Sequence, residues 1–137
     1  MKVSQVAFRA AIAPVLADLD HDRPGLLRVD ETPLDDDCHA WLRDGSGFGT
    51  GVYLSDALSP DEAVAEVADV VQEAAIEALH GAWPSCPRHP DSHPLTAAMS
   101  RGEASWLCGR DGSFIAKIGQ LARAYVQLSG RKARRFR

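Results

Sequence analysis

Trp83-Pro84-Ser85-Cys86-Pro87-Arg88-His89-Pro90-Asp91-Ser92-His93-Pro94-Leu95 is the stretch on which the organisation of this 137-residue chain turns. Four of the chain's eight prolines fall within it. Proline has no amide donor and a fixed φ, so neither a helix interior nor a central strand tolerates that density. The stretch reads as an irregular loop dividing two regions of different periodicity.

Upstream, Ser59-Pro60-Asp61-Glu62 is a helix start: Ser59 as cap, Pro60 in the first turn where no donor is needed, and Glu62 closing a capping box. The spacing predicts a helix from about Pro60 to His80. Its buried stripe is Val64, Val67, Val71, Ala74 or Ala75, and Ala78 or Leu79. Glu62, Glu66, Asp69, Glu73 and Glu77 recur at threes and fours and line the opposite face. Such a face is ordinarily solvated, and it could also dock a basic partner. Before this helix, Leu26 to Glu31, Cys38 to Arg43 and Thr50 to Ser55 read as three strands of a meander. Phe8, Ile12, Val15, Leu16 and Leu19 mark an N-terminal helix over Ser4 to Leu19, with a kink or restart expected at Pro14.

Downstream, Pro94 to Met99, Ala104 to Cys108 and Ser113 to Ile118 read as short strands. The tight turns Ser100-Arg101-Gly102-Glu103 and Gly109-Arg110-Asp111-Gly112 join them. A last helix from about Gln120 to Leu128 buries Leu121, Tyr125 and Leu128 and stops at Gly130. The expected fold is α+β: helix, three-stranded antiparallel meander, long acidic helix, a small β unit and a short closing helix. Residues 1–82 form the body, 83–130 the β unit packed on it, and 131–137 a basic tail.

The dividing loop also carries the chemistry. Cys86, His89 and His93 lie within eight residues, and Cys108 returns fifteen residues later. Zinc takes four tetrahedral thiolate or imidazole ligands, and a Cys-x2-His turn places two of them on one side of an ion. The segment resembles a zinc ribbon over about residues 83–118, with knuckles at Cys86-Pro87-Arg88-His89 and Trp106-Leu107-Cys108-Gly109. The common ribbon has two Cys-x2-Cys pairs, whereas here the second knuckle holds one cysteine. The fourth ligand is therefore His93 or, as the alternative, Asp111. The resemblance implies one structural Zn2+ per chain. Against it stands a plainer reading in which Cys86 and Cys108 are small buried side chains and the two His-Pro steps are turn residues. Cys38 lacks neighbours in sequence and reads as a strand-core thiol.

Other chemistries find less footing. The run Gly45 to Gly51 lacks the Gly-Lys-Ser/Thr ending of a phosphate loop and reads as a hairpin connection. A zinc deaminase needs His-x-Glu and Pro-Cys-x-x-Cys, and His-Glu-x-x-His is missing too. Asp35-Asp36-Asp37 lacks the alternation of a calcium loop. A Ser-His-Asp triad is not suggested by spacing. A small metal-dependent hydrolase stays open as a second reading, with Asp91, Asp111 or Glu103 as base.

Hydrophobic residues make up 45% and charged residues 25%, a composition neither disordered nor fibrous. No apolar run approaches the roughly 20 residues of a membrane span, Arg9 interrupts any signal-peptide core, and three cysteines are too few for a disulfide framework. The expected compartment is the cytoplasm, and the alanine- and arginine-rich usage suits a bacterial genome of high GC content. The net charge of −4 hides a polarity: residues 18–77 carry −13, residues 78–137 carry +7. Arg131, Lys132, Arg134, Arg135 and Arg137 supply five of those positive charges. An acidic body with a basic tail suits a protein partner or self-association, with nucleic acid as the alternative for the tail. The expected function is that of a non-enzymatic binding or adaptor protein with a structural metal.

Overall fold

In the computed structural model, which describes residues 3–32, 37–56, 58–89 and 93–127, the first helix begins where Ser4 can cap it. The Ser4 hydroxyl accepts the Ala7 amide at 3.1 Å, satisfying one of the donors a helix start leaves over. Helix α1 (Gln5–Asp22) then buries Phe8, Ala11, Ile12, Val15 and Leu19 along one stripe. It runs through Pro14 without restarting. Gly119 packs against Pro14, and a Cβ there would lie 3.0 Å from the proline ring; its φ of +105° also favours glycine.

Strands β1 (Arg28–Asp30), β2 (Ala40–Arg43) and β3 (Gly49–Val52) form an antiparallel meander in that order. Val29 faces Leu42, and Leu42 faces Thr50. Each strand is shorter than its apolar run. At one end the Leu26 amide turns back to the Arg23 carbonyl. The glycine-rich run is a hairpin connection, where the Asp44 side chain holds the Ser46 amide at 2.8 Å.

Helix α2 (Pro60–Leu79) starts with both halves of the capping box formed. Its buried face is Val67, Ala68, Val71, Gln72, Ala74 and Ala75, while Glu62, Asp69, Glu73 and Glu77 are exposed and Glu66 is half-buried. It packs against α1 and reaches β3 and the second sheet. That sheet is a meander of β4 (Thr96–Ser100), β5 (Glu103–Leu107) and β6 (Phe114–Lys117). The β4–β5 turn places both Arg101 and Gly102 at positive φ, 52° and 79°, as a right-twisted two-residue hairpin requires. A closing helix, α3, is described over residues 121–127, and the expected buried position Leu128 and stop at Gly130 lie outside the described residues.

One contiguous core joins Phe8, Val15 and Leu19 of α1 to Val67 and Val71 of α2, and these to Trp83, Trp106 and Leu121. The two tryptophans meet edge to face, centroids 5.7 Å apart. At its centre lies a carboxylate. Asp18, 3% exposed, accepts Trp106 Nε1 at 2.9 Å, the Gly119 amide at 2.7 Å and the Leu121 amide at 3.1 Å. It thus ties α1 to β5 and caps α3 from another element.

Candidate metal centre

Two tight reversals bring the Cys/His residues together. In the first, Ser85 and Pro94 form an antiparallel bridge, and the Leu95 amide donates to the Pro84 carbonyl at 2.8 Å. This pinches the proline-rich loop shut, with Cys86 and His93 at its mouth. The His89 amide turns back to the Cys86 carbonyl at 3.1 Å, placing His89 over the cysteine. The second reversal follows β5. The register steps from Trp106 facing Ala116 to Leu107 facing Phe114, leaving Ile115 as the extra residue. Such a bulge bends a strand end and re-aims its side chains, and Cys108 comes next. The Cys108 amide donates to the Ser113 carbonyl, and the Gly112 amide to the Cys108 carbonyl, each at 2.8 Å.

The four donor atoms all lie within 4.8 Å of one another. Cys86 Sγ is 3.6 Å from His89 Nδ1. Cys108 Sγ is 3.6 Å from His89 Nδ1 and 3.8 Å from His93 Nε2, and the two histidine nitrogens are 3.4 Å apart. A tetrahedral zinc with bonds of about 2.3 Å to sulfur and about 2.05 Å to nitrogen requires sulfur–nitrogen edges of about 3.6 Å and a nitrogen–nitrogen edge of about 3.4 Å. Four of the six donor–donor edges therefore match those of a tetrahedral ion. Both sulfurs are buried and both imidazoles half-buried.

Supporting groups fix the ligands. His93 Nδ1 lies 3.0 Å from the Pro94 carbonyl; donating there leaves Nε2 unprotonated and free to bind, the usual arrangement around a metal-ligating histidine. Gly109 sits against this pair, and a Cβ on it would lie 3.0 Å from the Pro94 oxygen and 3.3 Å from His93 Nδ1. Arg88, inside the first turn, donates to Ser113 Oγ at 2.7 Å and pairs with Asp111 at 3.4 Å, so it links the two reversals. Hydrogen bonds from the Ser113 hydroxyl and amide hold the Asp111 carboxyl far below the ordinary carboxylate range.

The structure thus gathers Cys86, His89, His93 and Cys108 and leaves Asp111 in the Arg88–Ser113 network. Glu103 lies at the far end of β5, five residues from Cys108, roughly 16 Å at strand rise, and faces Lys117 at 3.8 Å. Asp91, Asp35 and Asp36 lie outside the described residues, as does the basic tail Arg131, Lys132, Arg134, Arg135 and Arg137. Cys38 is buried apart from the cluster, its thiol directed to the Ala40 carbonyl at 3.3 Å. Among the described residues, no helix is long and apolar enough to cross a membrane.

Three supporting residues escape a reading of motifs. Asp18 and Gln72 each interrupt an apolar stripe, a polar side chain on a buried face being the available signal. Gln72, on α2, donates its amide to the Leu95 carbonyl and so fixes the exit of the metal loop. Tyr125 donates its phenol to the Ser85 carbonyl at 2.7 Å, and burial pushes that phenol above its ordinary pKa, keeping it a donor. No family model matches the chain, and neither the curated proteins nor the solved structures contain a match to it.

Proposed function

We propose that this is a small zinc protein in which Cys86, His89, His93 and Cys108 hold one structural Zn2+, and that it works as a non-enzymatic binding or adaptor protein. The observation that supports the metal is the agreement of four donor–donor distances with the edges of a zinc tetrahedron. Mixed thiolate and imidazole donors suit zinc, whereas calcium and magnesium take oxygen ligands. Four protein ligands complete the coordination, which is the signature of a structural rather than a catalytic site. The two bases named for a hydrolase that lie among the described residues lend that alternative no support: Asp111 is engaged by Ser113 and Arg88, and Glu103 stands at the wrong end of its strand. For the partner, the acidic row on α2 and the basic residues 131–137 suit a protein or a second copy of this chain, bound tail to helix.

Elemental analysis of the purified protein beside a Cys86→Ser/Cys108→Ser variant tests the site. About one zinc per wild-type chain and none in the variant is the expected outcome. Equal metal content in the two would refute the assignment.

A further inference from the structure

Helix α3 is held at two points of different character. At its start, Asp18 accepts the Gly119 and Leu121 amides, and Asp18 belongs to the buried body of α1. Further along, Tyr125 donates to the Ser85 carbonyl at 2.7 Å. Ser85 precedes Cys86 and bridges to Pro94, the neighbour of His93. The acceptor for the second anchor is therefore a backbone oxygen one residue from a candidate ligand, in a loop whose described residues hold no helix or continuous strand. Among the described residues of α3, Leu121 and Ala124 are buried, Tyr125 is half-buried and Val126 is exposed. Most of a helix's stability in a protein comes from tertiary packing rather than from propensity. Its order must come from what holds it.

Resting on the zinc reading above, we infer that Tyr125 is a latch between the metal site and α3: zinc fixes the Ser85 carbonyl that docks the helix, and the docked helix in turn tightens zinc binding. Such coupling is reciprocal by thermodynamic necessity. Tyr125 is a positioning residue, touching no donor atom of the metal.

The test uses the full chain. Zinc affinity is measured by competition with a chromophoric chelator, and amide exchange is followed over residues 121–127 with and without zinc. Removing zinc should lower α3 protection at least ten-fold while the centres of α1 and α2 keep theirs. Tyr125→Phe keeps the ring and removes one hydrogen bond, so it should weaken zinc binding about five-fold and shrink the zinc dependence of α3 protection. Ser59→Ala, which weakens the distant cap of α2, should leave zinc affinity unchanged and thereby separate coupling from general destabilisation. Equal zinc affinity in Tyr125→Phe and wild type, or α3 protection indifferent to zinc, would overturn the latch. If Tyr125→Phe does not fold, the zinc dependence of wild-type α3 decides alone. Wild-type protein that binds no zinc would overturn the metal reading itself, a result distinct from zinc bound without coupling.

Discussion

Gly109 and Asp18 show how much of this protein depends on single atoms. The absent side chain of Gly109 leaves room for the His93 ring to reach the Pro94 carbonyl, and a methyl group there would crowd both. Gly109→Ala should therefore displace a group that orients a ligand, a class of change that costs about ten- to a hundred-fold in metal affinity. Chelator competition would measure the loss, and far-ultraviolet dichroism should show the helices intact. Asp18 satisfies three donors from β5 and the entry to α3. Asp18→Asn keeps one acceptor oxygen and turns an amide toward those donors, so about 1–3 kcal/mol should be lost in urea unfolding. Its pH dependence has a definite sign. Burial raises the Asp18 pKa in the folded protein, outweighing the lowering by Trp106, Gly119 and Leu121. Between the ordinary carboxylate value and that raised value the folded state holds the extra proton, so the group's contribution to stability falls as pH rises through the window. The stability advantage of wild type over Asp18→Asn should shrink in step, and an advantage that grew with pH would contradict the assignment.

At the scale of elements, local chemistry and packing cooperate unevenly. Helix α2 carries its own start in Ser59 and Glu62 and needs its neighbours only to bury one face. The β4–β5 hairpin carries its turn as well, but with Arg101 in the left-handed region at a φ of 52°. A non-glycine residue pays roughly 1 kcal/mol for that conformation, and asparagine tolerates it better. Arg101→Asn should raise stability by about 0.5 kcal/mol, read as a small increase in the thermal midpoint; a decrease would show that the arginine makes a compensating contact. Strand β5 ends in a bulge that delivers Cys108 to the other three candidate ligands. The second sheet is therefore the platform on which one ligand rides, and the pinched loop carries the rest.

Across the whole molecule, charge is sorted along the chain. Residues 18–77 hold a net −13 and residues 78–137 a net +7, so the acidic face of α2 and the basic end are complementary. A segment of that net charge repels a phosphate backbone, which is why the proposed partner is a protein or a second copy. On the proposed reading, deleting residues 131–137 should weaken self-association while leaving the fold unchanged, since five of those seven residues are basic and carry little apolar surface to bury. Sedimentation of full-length and truncated chains at low and high salt would show it: salt-sensitive association lost on truncation is expected, and a monomer under every condition would remove the self-association reading. Tight, salt-sensitive binding of the full chain to random DNA would favour the nucleic-acid alternative.

Order and type of the elements were legible in the chain because each has a local cause. Apolar spacing in α1 and α2, the Ser59–Glu62 cap, and turn residues at Arg101-Gly102 and Gly109-Gly112 act within a few residues and need no distant partner. The membership of the Cys/His cluster was legible too, since three of its four residues share one proline-rich loop. What the chain could not declare was the choice between His93 and Asp111, because one shares the proline-rich loop with Cys86 and His89 and the other follows Cys108 by three residues. The tertiary structure engages Asp111 with Ser113 and Arg88 and places His93 Nε2 among the candidate donors, its Nδ1 against the Pro94 carbonyl. The contacts of Asp18, Gln72 and Tyr125 were likewise decided only there. Their partners lie 23 to 103 residues away, and a hydrogen bond across such a distance leaves no periodicity in sequence, only a polar residue on a face that is otherwise apolar.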